Sequence, residues 1–553
     1  MDKNMRQYEM FELEFIGEAP QGSWVDVDLT AEFICDGEVT VVKGFYAGEG
    51  VYKVRFLPRR TGTFKWKTTG IVEKSGKIHC EAGEVQDEAI QHAVIQNAAV
   101  QDAAVQDAAV QNAAVQGTAM GTNALEGIGH GMVQAEGMHF VYEDGTRYTP
   151  VGTTVYALPH QPQALIDQTF DTLAGSPYNK LRWCVFPKSF PYNENEPDFY
   201  PFEKTTEGKW DVHRPAMEFW NHFEKILMKL EQMGIQSDII LFHPYDRWGF
   251  CELSMEENLV YLDYVLRRLS AFPSVWWSMA NEYDMMLKRG MEDWYVIEEY
   301  IAENDPYHHL LSNHQCVVVY DFSRKNITHC SLQIRDVDRV KEFMEKYQKP
   351  VIYDECAYEG DLPMDWGNIS GFELVHRFWG LYAQGAYGTH GEVFLSPDDV
   401  LWWAKGGILK GESTPRIAYL KGLLKEADGP LAPWELKEFA KPEENQPLDE
   451  LLKDVRRDNP VANLYYYGKG PERDGMFVVP EYAARYEHQF FLQYLGHTAP
   501  SVVTLYLPED ASYRIDVIDT WEMTRKQAYF GASGKVEISL PGKECIAVVA
   551  VRL

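Results

Sequence analysis

The pattern of apolar and polar positions changes several times along the 553 residues of this chain. Residues 8 to 80 alternate apolar and polar side chains in short runs, as in Val25–Leu29 and Val51–Phe56. Turn residues such as Asp36-Gly37 separate these runs. Short alternating runs between turns predict antiparallel strands. We therefore expect residues 1–83 to form a small β-sandwich.

Residues 84–127 repeat a five-residue unit, written AAVQD, AAVQD, AAVQN and AAVQG, that is rich in Ala, Val and Gln. A period of five matches neither the period of a helix nor that of a strand, so the segment forms no continuous apolar face. A stacked β-solenoid would need more units to bury a sizeable core. We expect a low-complexity linker or insertion without catalytic function.

Residues 128–430 alternate apolar runs with amphipathic stretches such as Ala216–Met233 and Glu257–Leu269. Eight such units of strand and helix are typical of a (β/α)8 TIM barrel. An open doubly wound sheet usually has a Gly-rich phosphate turn after an early strand, and Gly152–Val155 is not such a turn. The predicted strands are Tyr148–Val155, Tyr178–Phe186, Ile235–His243, Val275–Glu282, His309–His314, Thr328–Gln333, Pro350–Glu355 and Gly388–Phe394.

The strand pattern returns near the C-terminus, after a connector at residues 426–459 that contains Gly429-Pro430 and Gln446-Pro447 as breakers. We expect residues 431–553 to form this connector and a C-terminal β-sandwich. The fold class is therefore multidomain α/β and all-β, a central barrel flanked by two β-sandwiches. The predicted C-terminal strands are Leu464–Tyr467, Gly475–Val479, His488–Gln493, Ser501–Leu507, Arg514–Val517, Val536–Leu540 and Ile546–Val551.

The formal net charge of −31 narrows the range of partners. A field of this sign repels phosphates and anionic lipids, so we expect no nucleic-acid and no membrane partner. The first residues lack the apolar region and the cleavage site of a signal peptide. Eight scattered cysteines without a C-x-x-C pair favour reduced thiols over disulfides or a zinc cluster. We expect a cytoplasmic protein, and a homo-oligomer remains open.

Two glutamates close predicted barrel strands. Asn281 and Glu282 follow the apolar run Val275–Ala280 of the fourth strand, and Glu355 ends the seventh. Active residues of such barrels lie at the carboxyl ends of strands, and strands four and seven face each other. Glycoside hydrolysis needs one protonated and one ionised carboxyl at a single bond, about 5–5.5 Å apart in retaining enzymes. Glu282 and Glu355 are therefore the predicted catalytic pair of an enzyme that hydrolyses oligosaccharides.

Three other carboxylates lie close to this pair in the sequence: Asp284, Asp354 and Glu359. Asp354 precedes Glu355, so the alternation of a strand sends it to the opposite face, where a structural salt bridge is expected. Glu359 follows in a loop and remains an alternative second carboxyl.

The other strand ends supply polar and aromatic side chains, which suit the hydroxyls and apolar faces of a sugar. Each of these side chains alone is also compatible with a structural role. The candidate substrate-binding residues are Asn281, Arg182, His243, Tyr245, Asn313, His314, Gln333, Tyr358, His390, Glu392 and Trp402.

Two other functions remain as alternatives. A metal-dependent barrel hydrolase would use histidines near strand ends as zinc ligands, but such enzymes usually carry His-x-His on strand one, which is absent here. A carbohydrate-binding protein without turnover would not need both glutamates. We expect no cofactor and no metal. The histidines in question are His160, His243, His314, His329 and His390.

Five segments resemble the bacterial apiosidase-like (β/α)8 glycoside hydrolases, which have an N-terminal and a C-terminal β-sandwich. The segments are LFHPYDRWGF, VWWSMANEYD, VIYDECAYEGD, YGTHGEVF and LWWAKGG. The resemblance covers nearly the whole chain except 84–127. It implies a retaining mechanism in which Glu282 is the acid/base and Glu355 the nucleophile, while Asn281 binds the sugar 2-hydroxyl. Apiosidases usually have Asp where this chain has Glu282, so the resemblance does not imply apiose as the sugar.

Overall fold

The computed structural model describes residues 5–83, 128–442 and 482–553. The predicted linker and the strands predicted at Leu464–Tyr467 and Gly475–Val479 lie outside the described residues. The chain divides into two compact units. The first comprises Met1–Arg335, Phe343–Gly371 and Tyr387–Ala418, and the second comprises Asp336–Glu342, Phe372–Ala386 and Tyr419–Leu553.

The first unit begins with a β-sandwich. The ring of Phe33 on one sheet stacks on Phe56 of the other at a centroid distance of 4.0 Å, and Phe11 packs edge-on against Phe33. The predicted run Val25–Leu29 buries alternate side chains, but the strand begins only at Leu29. The larger sheet has the order Met5–Arg6, Ser75–Glu81, Gly62–Gly70, Leu29–Cys35 and Glu38–Lys43, and the smaller has Phe11–Ile16, Val51–Phe56 and Phe45–Tyr46.

Eight parallel strands then form a nearly closed barrel, and a strand lies within each of the eight predicted segments. Two hydrogen bonds link the ends of the fifth and sixth strands, from Thr328 N to Leu311 O at 2.9 Å and from Ser312 Oγ to His329 O at 2.7 Å. The predicted fold class is confirmed. In chain order, the first to the eighth barrel strands are Val151–Thr154, Lys180–Cys184, Gln236–Phe242, Val275–Ala280, Leu311–Ser312, Cys330–Gln333, Val351–Glu355 and Tyr387–His390.

Helices lie between consecutive barrel strands along the chain, except between the fifth and the sixth, where the described residues form none. Met255–Leu269 shows why one begins where it does: Ser254 and Glu257 form a reciprocal capping box that satisfies two backbone N–H groups. The helices of four or more residues are Gln163–Ala174, Met217–Gln232, Met255–Leu269, Met291–Asn304, Val340–Tyr347, Gly371–Tyr382, Trp402–Lys405 and Ser413–Leu424. Shorter 3-10 turns lie at Leu158–His160, Phe250–Glu252, Tyr283–Met285, Val337–Arg339 and Lys425–Ala427.

Short antiparallel or accessory strands flank the barrel strands. A three-stranded sheet precedes the barrel, and its Phe140 packs on Trp276 of the fourth barrel strand. The accessory strands are Val133–Glu136, His139–Tyr142, Arg147–Tyr148, Phe202–Lys204, Trp210–Pro215, Glu359–Gly360 and Glu392–Val393. Among the helices that the structure describes, none combines the length and the apolar character that crossing a bilayer requires.

Charged side chains fill one layer of the barrel interior. The ammonium group of Lys180 lies 2.7 Å from Asp354 and 2.6 Å from Asp238, and all three side chains are buried. Arg182 lies beside the same two carboxylates, at 3.5 Å from Asp238 and 3.8 Å from Asp354. Asp354 thus has the predicted structural salt bridge, but it lies in the barrel interior beside Arg182, which Glu355 also approaches, and not on an opposite face.

A buried ionic cluster joins the N-terminal sandwich to two barrel helices. Glu224 of Met217–Gln232 accepts hydrogen bonds from Arg55 of the sandwich and from Arg268 of the next helix, at 2.5 and 2.6 Å. Burial alone would raise the pKa of Glu224, but the two guanidinium groups hold it at about 2. The carboxylate is therefore ionised at any pH at which the protein is folded under ordinary conditions.

The second unit contains antiparallel sheets whose core includes Phe491, Leu505, Ile515, Ile538 and Val548. One sheet has the order Ala432–Pro433, Tyr482–Tyr486, Phe490–Tyr494, Ile546–Arg552, Tyr513–Asp519 and Thr524–Ala532, and the other pairs Val502–Tyr506 with Lys535–Ser539. The five strands predicted between residues 488 and 551 are present. All eight cysteines of the chain are free thiols.

Candidate active site

A cavity of about 250 Å³ opens at the carboxyl ends of the barrel strands, within the first unit. Both predicted catalytic glutamates line it, together with polar groups, aromatic rings and aliphatic side chains. The lining residues are Tyr156, Lys188, Phe190, Tyr245, Asn281, Glu282, Gln333, Glu355, Tyr358, Leu362, Met364, Trp366, Gly367, Val393 and Trp403.

Glu282 has a strained backbone, with φ 53° and ψ 56°. Left-handed geometry is costly for a residue with a Cβ and is often found at functional sites. The carboxylate accepts hydrogen bonds from the hydroxyl of Tyr245 and, at 3.0 Å, from the side-chain amide of Gln333. Burial, followed by the charge of Glu282, raises the pKa of Tyr245 well above its ordinary value, so the phenol stays protonated and donates.

Two residues after the fifth strand hold the segment that carries Glu282. Asn313 Oδ1 accepts the backbone N–H of Ala280 at 3.1 Å, and His314 Nδ1 accepts that of Glu282 at 3.4 Å. Burial, together with Arg182, lowers the pKa of His314 far below its usual range, so the ring is neutral and can accept. Asn313 and His314, predicted to bind substrate, instead fix the backbone on either side of Asn281.

Glu355 ends the seventh strand and receives one hydrogen bond on each carboxylate oxygen. The hydroxyl of Tyr156 donates to Oε1, and Trp366 Nε1 donates to Oε2 at 3.2 Å. Arg182 adds a positive charge 3.9 Å from Oε1. Burial and then the charge of Glu282 raise the pKa of Glu355, while Arg182 opposes the shift. The effect of Glu282 on Glu355 shows that the two carboxyls are close enough to interact.

Asn281 is held by its amide oxygen. Arg182 Nη2 lies 3.4 Å from Asn281 Oδ1, and the hydroxyl of Tyr156 lies 2.9 Å from the same oxygen. No described residue accepts a hydrogen bond from Nδ2 of Asn281, which lines the cavity. The amide can therefore donate to a ligand.

Lys188 places an ammonium group in the same cavity, surrounded by rings. Its Nζ lies 3.5 Å from the ring centre of Tyr156, 4.3 Å from that of Tyr245 and 5.4 Å from that of Trp403. Burial lowers the pKa of Lys188, and nearby acidic groups, Glu282 and Glu355 among them, partly offset the effect. The cation thus favours the ionised form of Glu355.

Six of the predicted site residues line the cavity: Glu282, Glu355, Asn281, Tyr245, Gln333 and Tyr358. Arg182 lies behind it and contacts Asn281 and Glu355 from the barrel interior. The others hold neighbouring segments: His243 Nε2 lies 3.1 Å from the carbonyl of Phe186, and Trp402 Nε1 donates to Thr153 at 2.8 Å.

His390 and Glu392, from the eighth strand and its extension, lie outside the cavity lining. The ring of His390 is buried, with Nδ1 3.1 Å from the hydroxyl of Thr153. Glu392 accepts the backbone N–H groups of Lys410 and Gly411, at 2.6 and 2.8 Å. Glu392 therefore holds the segment that follows the barrel, whereas His390 contacts the first barrel strand, and neither lines the cavity with the glutamate pair.

The alternative carboxylates also support loops. Glu359 accepts the N–H groups of Glu412 and Ser413, and Asp284 accepts those of Cys316, Val317 and Val318. Neither residue lines the cavity, so Glu359 is not placed to act as the second carboxyl. The five histidines of the metal hypothesis do not gather around one point among the described residues.

Nine lining residues are absent from the predicted set. Trp403 directly follows the predicted Trp402. Both lie on the short helix Trp402–Lys405, and the orientation of this helix decides which of the two rings faces the cavity. Trp366 lies in a loop after the seventh strand, for which the sequence offers no periodic signal. The nine are Tyr156, Lys188, Phe190, Leu362, Met364, Trp366, Gly367, Val393 and Trp403.

Comparison with known families agrees with this architecture. Residues 134–393 match the apiosidase-like catalytic domain. Residues 4–70 and 463–553 match two domains of unknown function, DUF5060 and DUF5605. The resemblance read from the five sequence segments is thereby confirmed. Among curated proteins, no relative matches the chain.

Comparison with solved structures also finds proteins described as glycoside hydrolases. A Bacteroides vulgatus protein, provisionally described as a glycoside hydrolase, is 28% identical and matches with a TM-score of 0.79, covering 100% of both chains. A glycoside hydrolase of family 5 from the same organism is 14% identical with a TM-score of 0.53, over 76% of this chain and 94% of that one. The second likeness shows the fold alone.

Proposed function

We propose that this chain hydrolyses O-glycosidic bonds with retention of configuration, a proposal supported by its match to the apiosidase-like catalytic domain at residues 134–393 and by its likeness to the Bacteroides vulgatus protein. Glu355 attacks the anomeric carbon while Glu282 gives its proton to the leaving oxygen. A glycosyl ester of Glu355 forms, and the aglycone leaves as an alcohol. Glu282 then takes a proton from water, whose oxygen displaces Glu355.

The observation that carries this proposal is the placement of two carboxyls from the fourth and seventh strands in one cavity. The assignment of roles is supported by the partners of Glu355. Two hydrogen-bond donors, Tyr156 and Trp366, and the nearby charge of Arg182 favour the ionised form that a nucleophile needs. Glu282 can exchange a proton with a leaving group or water, because it faces the cavity.

The remaining lining groups suit a neutral sugar. Asn281 Nδ2 and the ammonium of Lys188 can donate to hydroxyl oxygens. The rings of Trp366, Trp403 and Tyr358 offer faces for the apolar C–H side of a sugar ring. In this proposal Asn281 donates to the 2-hydroxyl, and such bonds strengthen in the transition state.

The size of the cavity favours exo action on a terminal sugar. Its volume of about 250 Å³ lies just below the range of roughly 300–1,000 Å³ for sites that enclose a drug-sized ligand. One sugar ring fits this space better than two. Eight free thiols support a reducing compartment, so short oligosaccharides inside the cell are the substrates we propose.

A nucleophile-rescue experiment tests the mechanism. After a panel of aryl glycosides identifies a substrate, Glu355→Ala should lose several orders of magnitude in turnover. Azide should restore release of the aryl group and give a glycosyl azide of inverted configuration, read by NMR. Asp354→Asn is unsuitable as a control because it alters the barrel interior, and Glu359→Gln is unsuitable because both oxygens of Glu359 accept backbone N–H groups, so the control is Glu256→Gln at an exposed helix position. Hydrolysis by Glu355→Ala at the parent rate, or product inversion by the parent, contradicts the proposal.

A further inference from the structure

The second unit contains its own cluster of side chains that can bind a metal ion. His376 lies on helix Gly371–Tyr382, His497 follows strand Phe490–Tyr494, and Cys545 directly precedes the last strand. One ligand atom from each of these three residues lies within 4.8 Å of the other two. Imidazole nitrogen and thiolate sulfur are ligands that zinc prefers.

A carboxylate that is paired with Arg377 at 2.8 Å lies next to this group of three residues. Glu373 lies three residues before His376 on the helix, so the two side chains share one face. Its Oε2 lies 3.3 Å from Nε2 of His497. Zinc bonds of about 2.0–2.2 Å at a tetrahedral angle hold nitrogen and oxygen ligands roughly 3.4 Å apart. The separation of these two atoms is therefore already that of two ligands on one ion.

In each histidine, the ring nitrogen Nδ1 has the kind of hydrogen-bond partner that the second nitrogen of a metal-bound histidine usually has. Nδ1 of His376 lies 3.0 Å from the hydroxyl of Tyr494, and Nδ1 of His497 lies 2.9 Å from the carboxylate of Glu544. Among the described residues, Nε2 of His376 has no hydrogen-bond partner. Each ring is thus oriented by one nitrogen and presents the other toward the cluster.

Protonation states are compatible with binding. Burial and the adjacent ring of His497 lower the pKa of His376 to about 4, which leaves a lone pair on its ring at neutral pH. A thiol that binds zinc releases its proton, so binding at Cys545 would depend on pH. The side chains of His497 and Glu373 are 46% and 32% exposed, which gives an ion a path to the buried His376 and Cys545.

We propose that this cluster binds one zinc ion in tetrahedral geometry through two imidazole nitrogens, a thiolate and a carboxylate. The four ligands are His376, His497, Cys545 and Glu373. Because the protein fills all four positions, the site leaves no place for a substrate and is structural. The ion fastens helix Gly371–Tyr382 to two loops of the C-terminal sheet, independently of glycoside hydrolysis.

Metal titration of the full chain tests this site. The protein is stripped with a chelator and titrated with Zn²⁺ against a chromophoric competitor, and separately with Co²⁺. We expect one tightly bound zinc per chain and a rise in Tm on binding. Co²⁺ should produce the near-ultraviolet charge-transfer band of a thiolate ligand, and the band should be absent in Cys545→Ser.

Matched variants separate this site from incidental binding. Cys545→Ser and His497→Gln should weaken zinc binding by about 10–100-fold or more, whereas Cys251→Ser and His488→Gln, which alter the same residue types elsewhere, should bind as the parent does. If Cys545→Ser fails to fold, the partly exposed His497→Gln decides. Equal zinc affinity in His497→Gln and the parent, or no stoichiometric zinc in the parent, overturns the proposal. The glycosidase measurements are made on protein that has been stripped of metal with a chelator. A failure of the zinc proposal can therefore be told apart from a failure of the proposed function.

Discussion

The hydroxyl of Tyr156 donates a hydrogen bond to the carboxylate of Glu355, across 199 positions of the sequence. Burial and then the charge of Glu355 raise the pKa of Tyr156 far above its ordinary value, so the phenol keeps its proton and acts only as a donor to the carboxylate. The bond favours the ionised form of Glu355, against the burial and the like charge that raise the pKa of this residue. Tyr156 therefore helps to keep the proposed nucleophile reactive.

Tyr156→Phe should lower kcat/KM by about 10–100-fold, the effect of losing roughly 1.5–3 kcal/mol from a hydrogen bond to a charged group. It should also move the acid limb of the pH profile of kcat/KM to higher pH. The sign follows because the hydrogen bond lowers the pKa of Glu355, and only the ionised form attacks. Tyr261→Phe removes a buried hydroxyl outside the cavity lining and is the control. An acid limb that stays in place or moves down contradicts this role.

Glu282→Gln should move the acid limb in the opposite direction. The charge of Glu282 raises the pKa of Glu355, so its removal lets Glu355 ionise at lower pH. Natural glycosides should lose about 10²–10⁴-fold in rate, the usual contribution of a general acid. A dinitrophenyl glycoside, whose leaving group needs no proton, should keep a measurable first step. Pre-steady-state release of dinitrophenol gives the profile, and an acid limb that stays in place would show that the two charges do not interact.

Lys188→Met should move the acid limb of the pH profile of kcat/KM to higher pH. The ammonium of Lys188 lowers the pKa of Glu355, so a neutral side chain of similar length leaves the carboxylate harder to ionise. Lys204→Met, an exposed lysine above the ring of Trp210, provides a matched control. The pH profile of kcat/KM is again the measurement, and identical profiles for Lys188→Met and the parent would mean that this cation has no part in ionising Glu355.

Glu224→Gln should destabilise the first unit. The change leaves Arg55 and Arg268 buried without their carboxylate, and breaking a buried pair costs about 3–5 kcal/mol. Urea unfolding followed by tryptophan fluorescence measures the loss, with Glu256→Gln on an exposed helix position as the control. A loss below that of the control would show that the cluster does not support the interface.

The same carboxylate predicts how stability varies with pH. The pKa of Glu224 is about 2 in the folded protein, below its ordinary value of 4.5. Its contribution is therefore complete above the unfolded value and is lost as pH falls through the folded value. Parent and Glu224→Gln should differ most near neutral pH and converge as the pH approaches 2. A constant difference over this range contradicts the ionic origin of the effect.

The barrel strands could be predicted from the sequence because most are short buried runs rich in apolar residues that turns or helices separate. Thr524–Ala532 was not predicted because eight of its nine residues are exposed, so it shows no apolar alternation. Tyr482–Tyr486 also escaped prediction, since its Ala-Ala-Arg centre lacks β-branched side chains. The bounds of an exposed strand are set by its pairing with a neighbouring strand. The local sequence carries no information about this pairing.

The positions of the two glutamates could be predicted for a similar reason. The carboxyl ends of barrel strands converge, and this arrangement does not depend on the conformation of the loops. The remaining site residues depend on loop conformation. His243, His314 and His390 lie at strand ends like the glutamates. In each ring, however, one nitrogen forms a hydrogen bond with a backbone or hydroxyl group. Trp366 reaches Glu355 from a loop 11 residues later. Sequence patterns identify which residues lie at the rim, but not which of them turn inward.

The central claim is that Glu355 forms a covalent bond to the sugar, and trapping of that intermediate tests it most directly. The parent protein is incubated with an activated 2-deoxy-2-fluoro derivative of its substrate, digested, and analysed by mass spectrometry. The account predicts one fluoroglycosyl group per chain, attached to Glu355, with loss of activity in proportion to labelling. A label on Glu282 or Glu359 would contradict it, as would an unlabelled enzyme that releases product of inverted configuration.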